Sequence, residues 1–196
     1  MIASCNINKR KCDIPKQTSS NQIGMIPFLM ALLELDSKFK KSTYLNLVKF
    51  EALDQIDVAK YFGSLPYIDY KRIGIWGWSF GGHMATHCLL TANNTFSMAI
   101  AVAPVTNWRF YDTIYTERFL RTPQENREGY DLNSPLNYAD QLEGKLLIIH
   151  GSGDDNVHVQ NSMEMISALV AANKQFDLFI LLLNFLRHLT YLLPYQ

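Results

Sequence analysis

A serine flanked by glycines, directly after an apolar run, is where this sequence first offers chemistry. The stretch Gly77-Trp78-Ser79-Phe80-Gly81-Gly82-His83 follows Arg72-Ile73-Gly74-Ile75-Trp76. Gly77-x-Ser79-x-Gly81 has the nucleophile-elbow spacing, in which a serine sits on a sharp strand-to-helix turn. The reason for the glycines is steric: side chains two before and two after the serine would collide in so tight a turn. The turn lifts the hydroxyl above the sheet edge and aims a helix N-terminus at a developing oxyanion. The competing reading is a chance turn. An apolar strand pattern before the serine and a helical pattern after it weigh against that.

A hydroxyl needs a base, and the base needs a carboxylate to orient it. Chains built on this elbow carry the three in the order Ser, acid, His. Lys145 to Gly151 is a later apolar strand, and the loop Gly151-Ser152-Gly153-Asp154-Asp155-Asn156 follows it. Asp154 is the candidate acid; a plain Asp-rich turn is the alternative. The histidines are His83, His87, His150, His158 and His188. His83 and His87 have the i, i+4 spacing of a metal pair, but no third ligand accompanies them. A packed or solvated helix face is the expectation there, with no metal and no cofactor.

These residues need elements to hold them. Phe50 to Phe62 places apolar side chains at three-four spacing and predicts a helix stopped by Gly63-Ser64-Leu65-Pro66. Arg72 to Trp78 predicts a strand, Gly82 to Ala92 a helix, Phe96 to Val105 a second strand, and Lys145 to Gly151 a third. Residues 106–140 read as loop-rich and aromatic. Asn161 to Asn173 predicts a helix, and Phe176 to Leu183 a fourth strand. Residues 1 to about 24 are polar and aperiodic. The order is α/β, and continuous apolar strands imply a mostly parallel sheet with helices on both faces.

The whole chain has 196 residues, 48% hydrophobic and 18% charged, with formal net charge +0. That suits one domain with a sizeable core and gives no basic stripe for nucleic acid. Cys5, Cys12 and Cys88 form neither a metal spacing nor a disulfide framework, and Cys88 reads as a core thiol. The start lacks the apolar middle of a signal peptide. The run Met25 to Leu35 is too short to span a bilayer, so no membrane segment is expected.

The stretches RIGIWGWSFGGHMATHCLL, SMAIAVAPVTNWRFYDTIYTERF and KLLIIHGSGDDNVHVQNS, with KFEALDQIDVAKYFGSLPYID before them, resemble the catalytic domain of the prolyl oligopeptidase family, in its dipeptidyl peptidase IV-type branch. The resemblance runs from about Phe39 to about Ile180. It implies a partial α/β-hydrolase fold over 39–196, a divergent segment 1–38 and a divergent tail 181–196. By resemblance, Ser79 is the nucleophile, the Phe80 N–H an oxyanion donor and Asp154 the triad acid. Val105, Trp108, Tyr111, Tyr115 and Val157 would line a slot for a proline ring. Asn156 would hydrogen-bond the carbonyl before the cleaved bond, supported by Arg118. The implied reaction releases N-terminal X-Pro or X-Ala dipeptides through an acyl-enzyme, and the implied partners are such peptides and a second copy in a homodimer.

The sequence also departs from the family. Leu186 stands where the family's histidine falls by count, and His188 lies two residues on, without the glycine that follows it in the family. His188 is the candidate base. The family's Gly-Arg-Gly-rich segment and its loop tyrosine are replaced by MIPFLMALLELDSKFKK, and both departures are abrupt, as a shifted reading frame or a truncated gene would produce. The alternatives to an active peptidase are an inactive fragment and a binding or dimerisation remnant; an esterase fits the aromatic residues less well. Family members act outside the cytoplasm or on membranes, but the sequence leaves the compartment open.

Overall fold

The computed structural model describes residues 24–26, 41–92 and 94–182. Within them lie five strands: β1 (Gly24–Ile26), β2 (Ile73–Trp78), β3 (Met98–Val102), β4 (Lys145–Gly151) and β5 (Asp177–Leu181). All neighbours are parallel and the spatial order is the sequence order, β1-β2-β3-β4-β5. Helices α1 (Lys49–Gly63), α2 (Phe80–Thr91), α3 (Thr113–Leu120), α4 (Arg127–Leu132) and α5 (Gln160–Ala171) connect them. Parallel neighbours need such crossovers, because a tight hairpin cannot reverse the chain between them.

The strands and long helices fall where the periodicity predicts, with two differences. β1 was not expected. Three residues are too few for a period to show, and the strand is identified by its pairing, Gly24 with Ile73 through Ile26 with Ile75. Residues 106–140 are also more ordered than a loop. They hold α3, α4 and 3₁₀ turns at Trp108–Phe110 and Pro135–Gln141. These pieces are too short for an amphipathic stripe; side-chain caps start all but the Pro135–Gln141 turn, which begins on a proline. Asp112 accepts from the Tyr115 N–H at 2.8 Å, and Asn126 from the Gly129 N–H at 3.2 Å.

α2 is buried from Gly82 to Leu90. The helix is buried on every side, its polar His83, Thr86 and His87 included, and so sits in the interior. It packs on β2 and β3 and lies between α1 and the Pro135–Gln141 turn, which in turn meets α5. Beneath this layer the sheet presents Ile75, Ala99 and Leu146 in register, all buried. The opposite parity, Trp76, Ile100 and Leu147, is partly exposed, Trp76 by 38%. Helices over that second face are not among the described elements. Cys88 lies in the core, and burial pushes its thiol up to about 12, which keeps it inert.

No described helix is long and apolar enough to cross a membrane. The expectations for 1–38 and for the tail 181–196, His188 included, fall almost wholly outside the described residues.

Candidate active site

Three chain segments leave the same edge of the sheet, where ligands of open parallel sheets bind. Ser79 follows β2, the Val105–Trp108 segment follows β3, and Asp154 follows β4. Because Trp78 pairs with Val102 and Val102 with Ile149, these segments start side by side.

Ser79 occupies the turn between β2 and α2 with φ 58° and ψ −118°. That is the positive-φ side of backbone space, which a non-glycine residue enters only when its surroundings force it. The forcing contacts are visible. The Ser79 N–H donates to the Val102 carbonyl at 2.9 Å, and the Ser79 carbonyl accepts from the His83 N–H at 3.0 Å. A Cβ on Gly77 would overlap the backbone of Gly81. The sequence expectation assigned a second steric need to Gly81. The structure places that need elsewhere: a Cβ at Gly81 meets nothing within 4 Å, whereas one at Gly82 would press 2.9 Å from the Val102 oxygen and 3.0 Å from Pro104. The second required glycine is the one that seats α2 on β3. Phe80 is the first residue of α2, so its N–H lies at the helix N-terminus.

Asp154 is fixed on one side. Its Oδ1 accepts the N–H groups of Asn156 and Val157, each at 3.0 Å. Its Oδ2 is buried, and no described group bonds it. His150 Nε2 comes within 3.8 Å, too far for a hydrogen bond. That nitrogen instead meets the Val157 carbonyl at 2.7 Å, and Nδ1 meets the Ser162 hydroxyl at 2.7 Å. A carbonyl only accepts, so Nε2 carries the proton and Nδ1 receives the hydroxyl's. Burial lowers the His150 pKa, against the opposing pull of the Val157 carbonyl and Asp154. His150 is therefore a neutral bracket that pins the acid loop to α5, and it was not foreseen in that role.

The aromatic residues gather beside these two points. Trp108 stacks on Tyr115 at 5.8 Å and meets Tyr111 edge-on at 6.1 Å. Tyr111 and Tyr115 meet edge-on at 5.5 Å. The Tyr111 hydroxyl donates to Asn156 Oδ1 at 3.0 Å, joining the post-β3 segment to the acid loop. Tyr111 and Asn156 line a cleft of about 440 Å³ together with Arg109, Asp155 and His158. Val105, Trp108 and Val157 are almost wholly buried behind it, and Tyr115 is half-buried. Arg118 stands exposed on α3 and forms no hydrogen bond or ion pair among the described residues.

A buried polar clamp supports this wall. The Thr106 N–H donates to Asn161 Oδ1 at 2.9 Å and its hydroxyl to the Asn161 carbonyl at 2.7 Å. The Ser134 hydroxyl donates to the Thr106 carbonyl at 2.8 Å. Thr106, Ser134 and Asn161 lie 28 and 55 positions apart in sequence, so no local pattern announces them. His83 and His87 are buried, not solvated. Desolvation holds His83 down to about 3 and His87 to about 4, so both are neutral.

The sequence profile of the prolyl oligopeptidase family matches residues 33–182. A protein named "Probable dipeptidyl-aminopeptidase B" from Coccidioides posadasii is 49% identical over 139 residues, 69% of this chain and 15% of that one. Its namesake from Paracoccidioides brasiliensis is 50% identical over 131 residues, 65% of this chain and 14% of that one. The crystal structure of Porphyromonas gingivalis dipeptidyl peptidase 4 superposes with a TM-score of 0.73 at 54% identity, over 74% of this chain and 21% of that one. The chain thus spans about 15% of the length of the curated relatives it matches.

Proposed function

The chain belongs to the prolyl oligopeptidase family, and from that premise we propose that it carries the serine-peptidase half-site of a dipeptidyl peptidase, with Ser79 as nucleophile and Asp154 as triad acid. The observation that carries this reading is the backbone of Ser79, at φ 58° on a strand-to-helix turn that a Cβ at Gly77 would destroy. Strain of this kind persists only where the surroundings over-determine it, and it gathers at functional sites.

The chemistry follows from the parts. The Ser79 hydroxyl attacks the peptide carbonyl while a base takes its proton. The carbonyl oxygen becomes an oxyanion, which the Phe80 N–H at the start of α2 would stabilise. Collapse of that intermediate expels the amine, protonated by the same base, and leaves the acyl group on Ser79. Water then repeats the sequence and frees the acid. The base is an imidazole whose N–H would donate to Asp154 Oδ2, the buried oxygen that no described residue bonds. His188 is the candidate the sequence offers, outside the described residues.

The substrate reading is an N-terminal X-Pro or X-Ala peptide. The supporting feature is the aromatic wall of Tyr111, Tyr115 and Trp108, flat and apolar, backed by Val105 and Val157. A rigid five-membered ring fits such a wall at little entropic cost. Asn156, oriented by the Tyr111 hydroxyl, would hold the carbonyl before the cleaved bond, and Arg118 would support that site. A homodimer remains part of the proposal.

The test is labelling with a fluorophosphonate probe, followed by turnover of a Gly-Pro amide. Wild type should label, Ser79→Ala should not, and His188→Ala should lose the rate if His188 is the base. A folded wild-type chain that never labels would refute the active-peptidase reading.

A further inference from the structure

We propose that His83 is a positioning residue: its imidazole, wedged against the rings of Phe80 and Trp108, sets the plane of the indole behind the cleft relative to the residue whose N–H serves the oxyanion. The inference rests on the reading of that cleft as the substrate's pocket.

The geometry is a triangle of rings. Centroids of Phe80 and His83 are 6.3 Å apart, of His83 and Trp108 5.1 Å, and of Phe80 and Trp108 5.8 Å. His83 lies nearly parallel to both neighbours, 14° from Phe80 and 28° from Trp108. Phe80 and His83 belong to the nucleophile's helix. Trp108 passes the contact on, since it stacks on Tyr115 and touches Tyr111 edge-on. One imidazole therefore links the first turn of α2 to both tyrosines of the wall.

Flat packing holds this ring. It is fully buried, and neither of its nitrogens makes a well-formed hydrogen bond; the Trp108 Nε1 is likewise without a partner among the described residues. The nearby carbonyls of Val105 and Asn133 offer only a weak pull on its proton. With no hydrogen bond to fix the indole, its plane is set by the surfaces on either side of it. A phenylalanine would supply the same surface. What imidazole adds is the capacity to take a proton.

The titratable group facing His83 is His87 of the same helix, at 6.0 Å. Tyr138 stands edge-on to His87 from the Pro135–Gln141 turn. No carboxylate among the described residues adds to the balance at His83. A proton on this ring would be a buried charge, and the carbonyls of Val105 and Asn133 offset less than its desolvation costs. The stack can receive it only by opening, so acid should loosen the wall from beneath.

The test compares wild type, His83→Phe and His83→Leu by near-UV circular dichroism and by the rate of fluorophosphonate labelling at Ser79. His83→Phe keeps the flat ring. It should match wild type within about twofold at pH 7.5, and its near-UV signal should survive to lower pH. His83→Leu keeps the apolar bulk and loses the plane. Its near-UV signal should fall while the far-UV signal holds, and labelling should slow about tenfold or more. A His83→Leu chain like wild type, or a His83→Phe chain with the wild-type acid midpoint, overturns the proposal. If no variant labels, the near-UV comparison still decides it and only the peptidase reading fails. Should His83→Leu not fold, His83→Met takes its place in the same comparison.

Discussion

The Ser79 elbow and the Asp154 loop leave the same sheet edge, with β3 between their strands, yet they are completed in different ways. The elbow closes on itself. Ser79 bonds Val102 through its N–H, its carbonyl takes the His83 N–H, and Gly82 lies against Val102 and Pro104. The acid loop closes on one side only. Oδ1 of Asp154 holds two backbone N–H groups of its own loop, and Oδ2 is buried without a described partner. A backbone turn needs only its immediate neighbours to be finished. A carboxylate has two oxygens that point different ways, so the second must be completed by another segment.

That contrast predicts that the carboxylate's two oxygens can be separated by mutation. Asp154→Asn keeps an oxygen for the two N–H groups, so it should fold nearly as well as wild type. It puts an amide where a base should be oriented, so fluorophosphonate labelling should drop by roughly 10⁴-fold. Equal labelling of Asp154→Asn and wild type would remove Asp154 from the site.

The elbow should instead break by sterics, and unevenly. Gly77→Ala should cost about 3 kcal/mol or more in denaturant unfolding, because the added Cβ meets fixed backbone. Gly82→Ala should cost less, since its Cβ would come 2.9 Å from the Val102 oxygen and so overlap less than at Gly77. Gly81→Ala should be neutral or stabilise by up to about 1 kcal/mol, as alanine loses less entropy in a helix. A ranking with Gly81 most sensitive would overturn this account of the turn.

Acid should reach the elbow through its helix. His83 and His87 titrate near their ordinary value when unfolded and at about 3 and about 4 when folded. The unfolded chain then binds more protons below about pH 6.5, so stability is full above that pH and falls as the pH drops. At pH 5 the loss is about 2 kcal/mol for each histidine. Urea unfolding at pH 7.5 and pH 5 checks the size, and His83→Phe with His87→Phe should flatten the difference.

The link between the two regions gives the smallest effect. Tyr111→Phe removes the hydrogen bond to Asn156 and nothing of the ring. At this exposed site the stability change should stay below about 1 kcal/mol. Capture of a Gly-Pro ligand should weaken severalfold, readable by titration calorimetry. A larger loss of stability than of binding would make that bond structural.

Much of this was legible from residues alone, for reasons tied to particular stretches. The apolar runs at β2, β3 and β4 and the three-four spacing of α1 and α5 are local periodicities, and the structure keeps them. Ser79 was legible because its turn is announced by short-range glycine spacing. Even there the sequence misjudged one residue: Gly81 matches the pattern, but Gly82 carries the contact, since the strand it touches lies twenty residues away. His83 and His87 read equally well as solvated or packed, because i, i+4 spacing says which residues share a face and not what that face meets.

The amino-acid sequence by itself determined the alternation of strand and helix, the elbow and the aromatic composition of the wall, because each is written within a few residues of itself. Only the tertiary structure decided that His150 brackets the acid loop and that Oδ2 of Asp154 has no partner among the described residues. It alone decided that Thr106, Ser134 and Asn161 clamp the wall, and that His83 stands between Phe80 and Trp108. Those roles depend on which elements the parallel sheet sets side by side, and the energy of a buried polar or aromatic contact comes from partners that are near in space while distant along the chain.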